Sequence, residues 1–197
     1  MTDELVAVQT FRMAYYMSQG TQGRLPWTSQ ALYEWMKSQI AGVNIHTGNG
    51  FAACCEIING KRYMTLWRRD ATTLDQYRDW NGVTNWLALL AHEVRHVAGP
   101  GHVNGCAAFP LPTDPLGCDA SYDLTNLGSY GVQYWLFSKW ATGFMNVGIA
   151  CAPPASAQDF ATFAASAATG YTNLSRFVTN TPPSVTATIP YGGVCIP

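Results

Sequence analysis

Apolar residues recur at helical spacing through the first forty positions. Val6, Phe11, Tyr15 and their neighbours predict one helix ending near Gly20. After Pro26, Leu32, Trp35, Met36 and Ile40 predict a second helix, with Thr28 as its N-cap and Gly42 as its stop. The period then shortens. Phe51 to Ile58 and Lys61 to Trp67 read as strands joined by Asn59-Gly60, the strongest two-residue hairpin signal. Asp75 to Asp79 leads into a helix over Val83 to Val97, which Trp86, Leu87, Leu89 and Leu90 mark as buried. Its apolar run, Trp86 to Ala91, is the longest in the chain and far too short to cross a bilayer. Val103 to Tyr122 is a loop carrying Pro110, Pro112 and Pro115. Leu124 to Trp140 predicts a helix with Leu127, Tyr130, Tyr134 and Phe137 along one face. An Ala-rich helix over Gln158 to Ala168, with a continuation to Phe177 as an option, precedes an extended tail from Thr181 to Pro197. No internal repeat and no linker between independent domains is visible.

The third predicted helix ends in His92-Glu93-Val94-Arg95-His96-Val97-Ala98-Gly99-Pro100-Gly101-His102, the pattern H-E-x-x-H-x-x-G-x-x-H. On a helix His92 and His96 are four apart and project from the same face one turn apart. Glu93 stands next to the first ligand, placed to reach a water without binding metal. Gly99 is expected to take a left-handed conformation that ends the helix and brings His102 round as third ligand. Three protein ligands leave one tetrahedral position open, the arrangement of a catalytic zinc site rather than a structural one. At this chain's own residue frequencies the five fixed positions would arise by chance in roughly a few chains per million. Three of the chain's four histidines lie in this window. The competing reading is an amphipathic helix that happens to carry histidines.

Residues His92 to His102 resemble the zinc-binding consensus of the metzincin clan of metallopeptidases. The resemblance is strong over those eleven residues and loose over the order of the elements before them; no signature of a subfamily accompanies it. It implies an α+β fold within a single catalytic domain, residues 1–197. An upper subdomain (1–99, ending at Gly99) would hold a small twisted sheet and the zinc helix; a mainly helical and irregular lower subdomain (100–197) would follow. It implies an edge strand that pairs with peptide substrate, for which one strand of the Asn59-Gly60 hairpin is the candidate; a plain core hairpin is the other reading. It also implies a methionine turn beneath the metal. Met145, flanked by Gly143 and Asn146, is the one methionine downstream of the motif, although the helix before it could itself underlie the zinc helix. A tyrosine often assists such sites, and Tyr122, Tyr130, Tyr134, Tyr171 and Tyr191 are available, each also readable as packing.

The implied activity is zinc-dependent endopeptidase action, with Zn2+ on His92, His96 and His102 and Glu93 as general base. Two rivals stand beside it: a zinc hydrolase of a non-protein amide, such as a cell-wall peptide or an acylated small molecule, and a secreted binding module that zinc only braces. Copper or nickel could also occupy three imidazoles in vitro. Ligand imidazoles usually donate their second N–H to a carboxylate or carbonyl. Asp114, Asp119 and Asp123 are the nearby carboxylates, and the same three could instead form a calcium site, though without a recognisable ligand spacing. His46 reads as a surface or turn histidine.

Composition narrows the partners. Charged residues make up 12% of the chain, about half the usual share, with three lysines and a net charge of −1. No basic stripe exists to neutralise phosphates, which argues against nucleic acid; the adjacent basic pair Arg68-Arg69, followed by Asp70, reads as a solvated strand end. The expected partner is a protein or peptide substrate, with no membrane span and a monomeric state. Six cysteines suit an oxidising compartment. Cys106 and Cys118 are the first pair expected, closing the Pro-rich loop, and Cys151 with Cys195 could pin the tail. Cys54 and Cys55 would point to opposite faces of a strand and need separate partners, unless they form a vicinal ring. A secreted or extracytoplasmic location is expected. Residues 1–20 lack a signal-like apolar run, so a leader would have been removed and Met1 would be an added start.

Overall fold

The computed structural model describes residues 3–18, 24–48, 52–68, 80–104, 106, 117–143 and 154–188. Among them the chain is mixed α+β, with five helices and one three-stranded sheet. The order is α1 (Asp3–Met17), α2 (Leu32–Gln39), β1 (Gly42–Thr47), β2 (Ala53–Ile58), β3 (Lys61–Arg68), α3 (Trp80–Ala98), α4 (Ser129–Ala141) and α5 (Pro154–Asn173). They fall into two compact units, Met1–Ala98 and Gly99–Pro197. No helix among the described residues is long and apolar enough to cross a membrane.

In the first unit the hairpin forms where its turn residues require it. Asn59 and Gly60 take φ of 51° and 73°, the pair of positive values that a type I′ turn demands. The sheet order is β1-β3-β2, with β1 parallel and β2 antiparallel to β3. β1 is an element the hydrophobic pattern did not predict, although Val43 and Ile45 alternate with Asn44 and His46. Its burial is intermediate almost throughout, so the apolar face is weakly marked. Met64 and Leu66 on β3 are buried, together with Met13, Ala14 and Met17 of α1, and Leu32, Trp35 and Met36 of α2. Helix α3 completes this core with Val83, Leu87, Leu90 and Val94, a stripe at spacings of four, three and four. It packs against α1, α2, β2 and β3.

Helix α2 begins later than its pattern suggested. Its N-cap is Ala31, with no side-chain cap. Thr28 sits instead in the preceding turn, where its N–H donates to the Leu25 carbonyl. The bridge between Arg24 and Ala31 holds this segment out of the helix.

On the sheet, Asn44 Nδ2 donates to Glu56 Oε2 (2.7 Å), and His46 Nε2 lies 3.1 Å from the same oxygen. His46 is therefore a strand residue with a cross-sheet partner. The Asn44 amide, then the His46 hydrogen bond, hold the Glu56 carboxyl below its ordinary 4.5, burial opposing them weakly. A depressed carboxyl stabilises the fold above its unfolded value and loses that contribution as pH falls through the folded one. Carboxyl-carbon NMR titration is expected to place the Glu56 midpoint below 4.5, and Asn44→Ala to move it up. An unchanged midpoint in the variant would remove the amide as the cause.

In the second unit α4 is predominantly apolar and buried on nearly every residue, with Val132, Leu136, Phe137 and Trp140 among the fully enclosed side chains. It packs along α5, where Phe160, Ala161, Ala164 and Ala168 are buried; small residues there let the two helices approach. Tyr122, Tyr134 and Phe177 form an edge-to-face cluster, and burial, with Tyr134 adding to it, pushes the Tyr122 hydroxyl up to about 12. Asn180 makes two hydrogen bonds to the Tyr122 backbone. The Tyr134 hydroxyl donates to the Pro183 carbonyl, and Thr188 N–H to Ala141 O. These bonds tie residues 180–188 across the unit. The expected disulfide Cys106–Cys118 is present.

Helix α4 starts at Ser129, five residues later than its pattern predicts, because Asp119 caps it from outside the local sequence: Gly131 N–H donates to Asp119 Oδ2 at 2.7 Å. Gly128, the N-cap residue, has φ −74°, which any residue can adopt, but a Cβ there would lie 2.3 Å from the Asp119 Cγ. The penalty for Gly128→Ala is thus steric alone. A loss of about 1–3 kcal/mol is expected from overpacking, read as a lower urea midpoint with unchanged m-value; wild-type stability would contradict this packing.

Candidate metal centre

His92, Glu93 and His96 lie on α3, where the four-residue spacing sets the two imidazoles 5.0 Å apart with their planes at 74°. His92 and Glu93 are 6% and 8% exposed, so both are largely withdrawn from water before any ligand arrives. The helix ends after Ala98 without the left-handed glycine expected at Gly99. Positive φ among the described glycines belongs to Gly48, Gly60, Gly117 and Gly143. Pro100 supplies the stop: it has no N–H to continue the helix and drives the preceding residue out of the α region.

Past that stop the chain reaches His102. The ligand atoms of His92, His96 and His102 all lie within 4.8 Å of one another, so the three histidines can hold a metal ion. They are the one group of three or more His, Cys, Asp or Glu side chains so spaced among the described residues. Nitrogens bound to a tetrahedral ion at about 2.0–2.1 Å stand about 3.3 Å apart. No pair of the three therefore has more than roughly 1.5 Å to close on an ion. Three imidazoles are a donor set that suits a first-row divalent metal ion.

Glu93 is held from the sheet side. Its Oε2 accepts the backbone N–H of Cys54 at 3.0 Å. That N–H comes from an irregular point of β2: the register with β3 shifts between Ala53 and Glu56, so the strand carries one extra residue there. Cys54 and Cys55 are bonded to each other. Of the two arrangements open to this pair, the vicinal ring is the one found, and neither cysteine takes a separate partner. β2 is an edge of the three-stranded sheet and β3 its centre, so the hairpin contributes one edge and one interior strand.

His102 has neighbours of its own. Its Nδ1 lies 3.4 Å from Asp119 Oδ1, and its ring stacks on Tyr130 with centroids 4.6 Å apart and planes at 24°. Arg176 lies over the Tyr130 ring, 4.5 Å from its centroid, and donates to the Tyr130 hydroxyl at 3.1 Å. Of the two described aspartates near the motif, Asp119 is the one that lies beside a ligand histidine. Asp123 accepts the Thr125 N–H and hydroxyl within its own turn, and Asp114 lies outside the described residues. Among the described tyrosines, Tyr130 stands in ring contact with His102. Tyr122 and Tyr134 pack with Phe177, and Tyr171 stacks on Phe137. Tyr191, Met145, Cys151 and Cys195 lie outside the described residues.

The Cys54–Glu93 and Asp119–His102 pairs were not singled out by sequence. The first is a backbone donor, invisible to residue-type reasoning; the second was one of three equal candidates. Comparison with protein-family models, with curated proteins and with solved structures finds no match to this chain.

Proposed function

We propose that this chain is a zinc-dependent endopeptidase of metzincin type that works outside the cytoplasm, with Zn2+ on His92, His96 and His102 and Glu93 as general base. The convergence of three imidazoles with a buried glutamate next to the first of them carries the reading. When bound, zinc supplies a Lewis acid that makes water acidic near neutrality and polarises a carbonyl. The protein's own residues do the rest. Glu93 takes the proton of the attacking water as it adds to the peptide carbonyl. It then gives that proton to the departing amine as the C–N bond breaks. The Cys54 N–H fixes one carboxylate oxygen, and a carboxylate has acceptor capacity beyond that one bond. Because Cys54 belongs to edge strand β2, a peptide adding to β2 would run beside the base, the geometry that strand addition needs. The disulfide Cys106–Cys118 supports an oxidising location.

The test is incubation of the zinc-loaded chain with a mixture of unfolded proteins and, in parallel, with cell-wall fragments, reading newly formed amino termini. Cleavage of proteins that a chelator stops and zinc restores supports the endopeptidase. Release from cell-wall fragments alone would transfer the same chemistry to a non-protein amide. No cleavage in either, with zinc bound one to one, would leave a binding module that zinc braces.

A further inference from the structure

His102 differs from the other two histidines in how it is held. His92 and His96 inherit their aim from a helix. His102 sits in non-helical chain and must be aimed by what surrounds it. Gly117, at φ +64°, brings its backbone so close that a Cβ there would lie 3.0 Å from the His102 Cβ and 2.7 Å from the Val103 carbonyl. Tyr130 covers the ring face. Asp119 faces the ring edge, 1% exposed.

Asp119 is itself fixed from two directions. Its N–H donates to Arg176 O and its carbonyl accepts the Val178 N–H, while the neighbouring Cys118 pairs with Val103 through two backbone hydrogen bonds. Its carboxylate is seated on the N-terminus of α4. Oδ2 accepts the Gly131 N–H (2.7 Å) and Oδ1 lies 3.4 Å from the Tyr130 N–H. The end of a 13-residue helix supplies this buried carboxylate with N–H donors and a partial positive charge. An acceptor-only group whose Oδ1 lies 3.4 Å from Nδ1 favours the tautomer in which that nitrogen carries the proton. Nε2 is then left as the unprotonated, metal-binding nitrogen.

We infer that Asp119 is the positioning residue for the third ligand: seated on the N-terminus of α4, it holds His102 in the Nδ1–H tautomer and aims Nε2 at the metal. This rests on the metal site proposed above and assigns the aiming of its non-helical ligand to one carboxylate. Outer partners of this kind raise ligand basicity and fix ring orientation.

Long-range proton–nitrogen NMR of the metal-free wild-type chain, at a pH where the imidazole is neutral, reads the tautomer directly. Nδ1–H at His102 is expected; Nε2–H would overturn the inference without any substitution. The second arm is Asp119→Asn. An amide can still accept the Gly131 N–H, but it then turns its NH2 toward Nδ1, a donor where an acceptor is needed. Zinc affinity is expected to fall about 10–100-fold, with a changed visible spectrum of the cobalt-substituted protein. A purely structural aspartate would lower the melting temperature of the metal-free chain and leave the tautomer, the cobalt spectrum and the affinity of folded protein unmoved. Equal zinc affinity in both proteins sinks the inference alone. Failure of the wild-type chain to take up zinc sinks the metal site, and the inference with it.

Discussion

Glu93→Gln is expected to lower peptide-bond hydrolysis by about 10²–10⁴-fold, the usual contribution of a positioned general base, while leaving zinc affinity and fold unchanged. The substitution is nearly isosteric, and the amide oxygen of glutamine can still accept the Cys54 N–H that the carboxylate accepts now. What is lost is proton affinity. A neutral amide cannot take the proton of an attacking water, and it has none to return to the leaving amine. Steady-state kinetics on a substrate found by the cleavage screen, with bound zinc counted in the same samples, checks this. Full activity in the variant would remove Glu93 from the chemistry. Lost activity accompanied by lost zinc would make Glu93 a residue that holds the site together.

His96→Ala has the other large expected effect. It deletes a direct ligand, so zinc affinity should fall by more than the ~10–100-fold typical of losing an outer partner, and activity should vanish with the metal. His96 is the better choice of helix ligand because it is less buried than His92, so its removal disturbs packing less. Zinc at a hundred times its dissociation constant stabilises a folded protein by about 2.7 kcal/mol. Wild type should therefore melt higher with zinc than without, and the variant should show almost no such shift. A variant that still gains stability from zinc would place the ion elsewhere. If zinc leaves wild type unshifted too, the three-histidine site does not bind it.

The outcomes of these substitutions separate the two rivals from the endopeptidase. A zinc-bracing module predicts that His96→Ala unfolds or loosens the chain and that Glu93→Gln changes nothing. A hydrolase of non-protein amides predicts the same dependence on Glu93, on a different substrate. The substrate class is thus decided by the screen, and the chemistry by the substitutions.

Local sequence determined the elements whose physics is local. Asn59-Gly60 set the turn and hence the register of β2 on β3, because few residue pairs accept positive φ twice in succession. The spacing of His92 and His96 fixed their shared face, because helix geometry is the same everywhere. The long apolar pattern of α3 and the Ala-rich pattern of α5 found both helices, though not their ends. The Pro100 that stops α3 was legible as well, yet the stop was assigned to Gly99, whose freedom of φ is not used.

Wherever a partner comes from distant chain, sequence alone could not decide. The start of α4 depends on Asp119, nine residues before the N-cap, since a carboxylate that satisfies the first N–H groups need not be the cap residue itself. The hydrogen bond on Glu93 comes from a backbone N–H freed by a strand irregularity 39 residues away. β1 is held by pairing with β3 in parallel, a non-local bond pattern that its weak alternation does not announce. The sequence by itself determined which residue types could make a metal site and the face on which two of them stand. Only the tertiary structure brought His102 into reach of that pair and set Asp119 beside it, because a ligand outside a helix has no intrinsic direction and takes one from whatever packs around it.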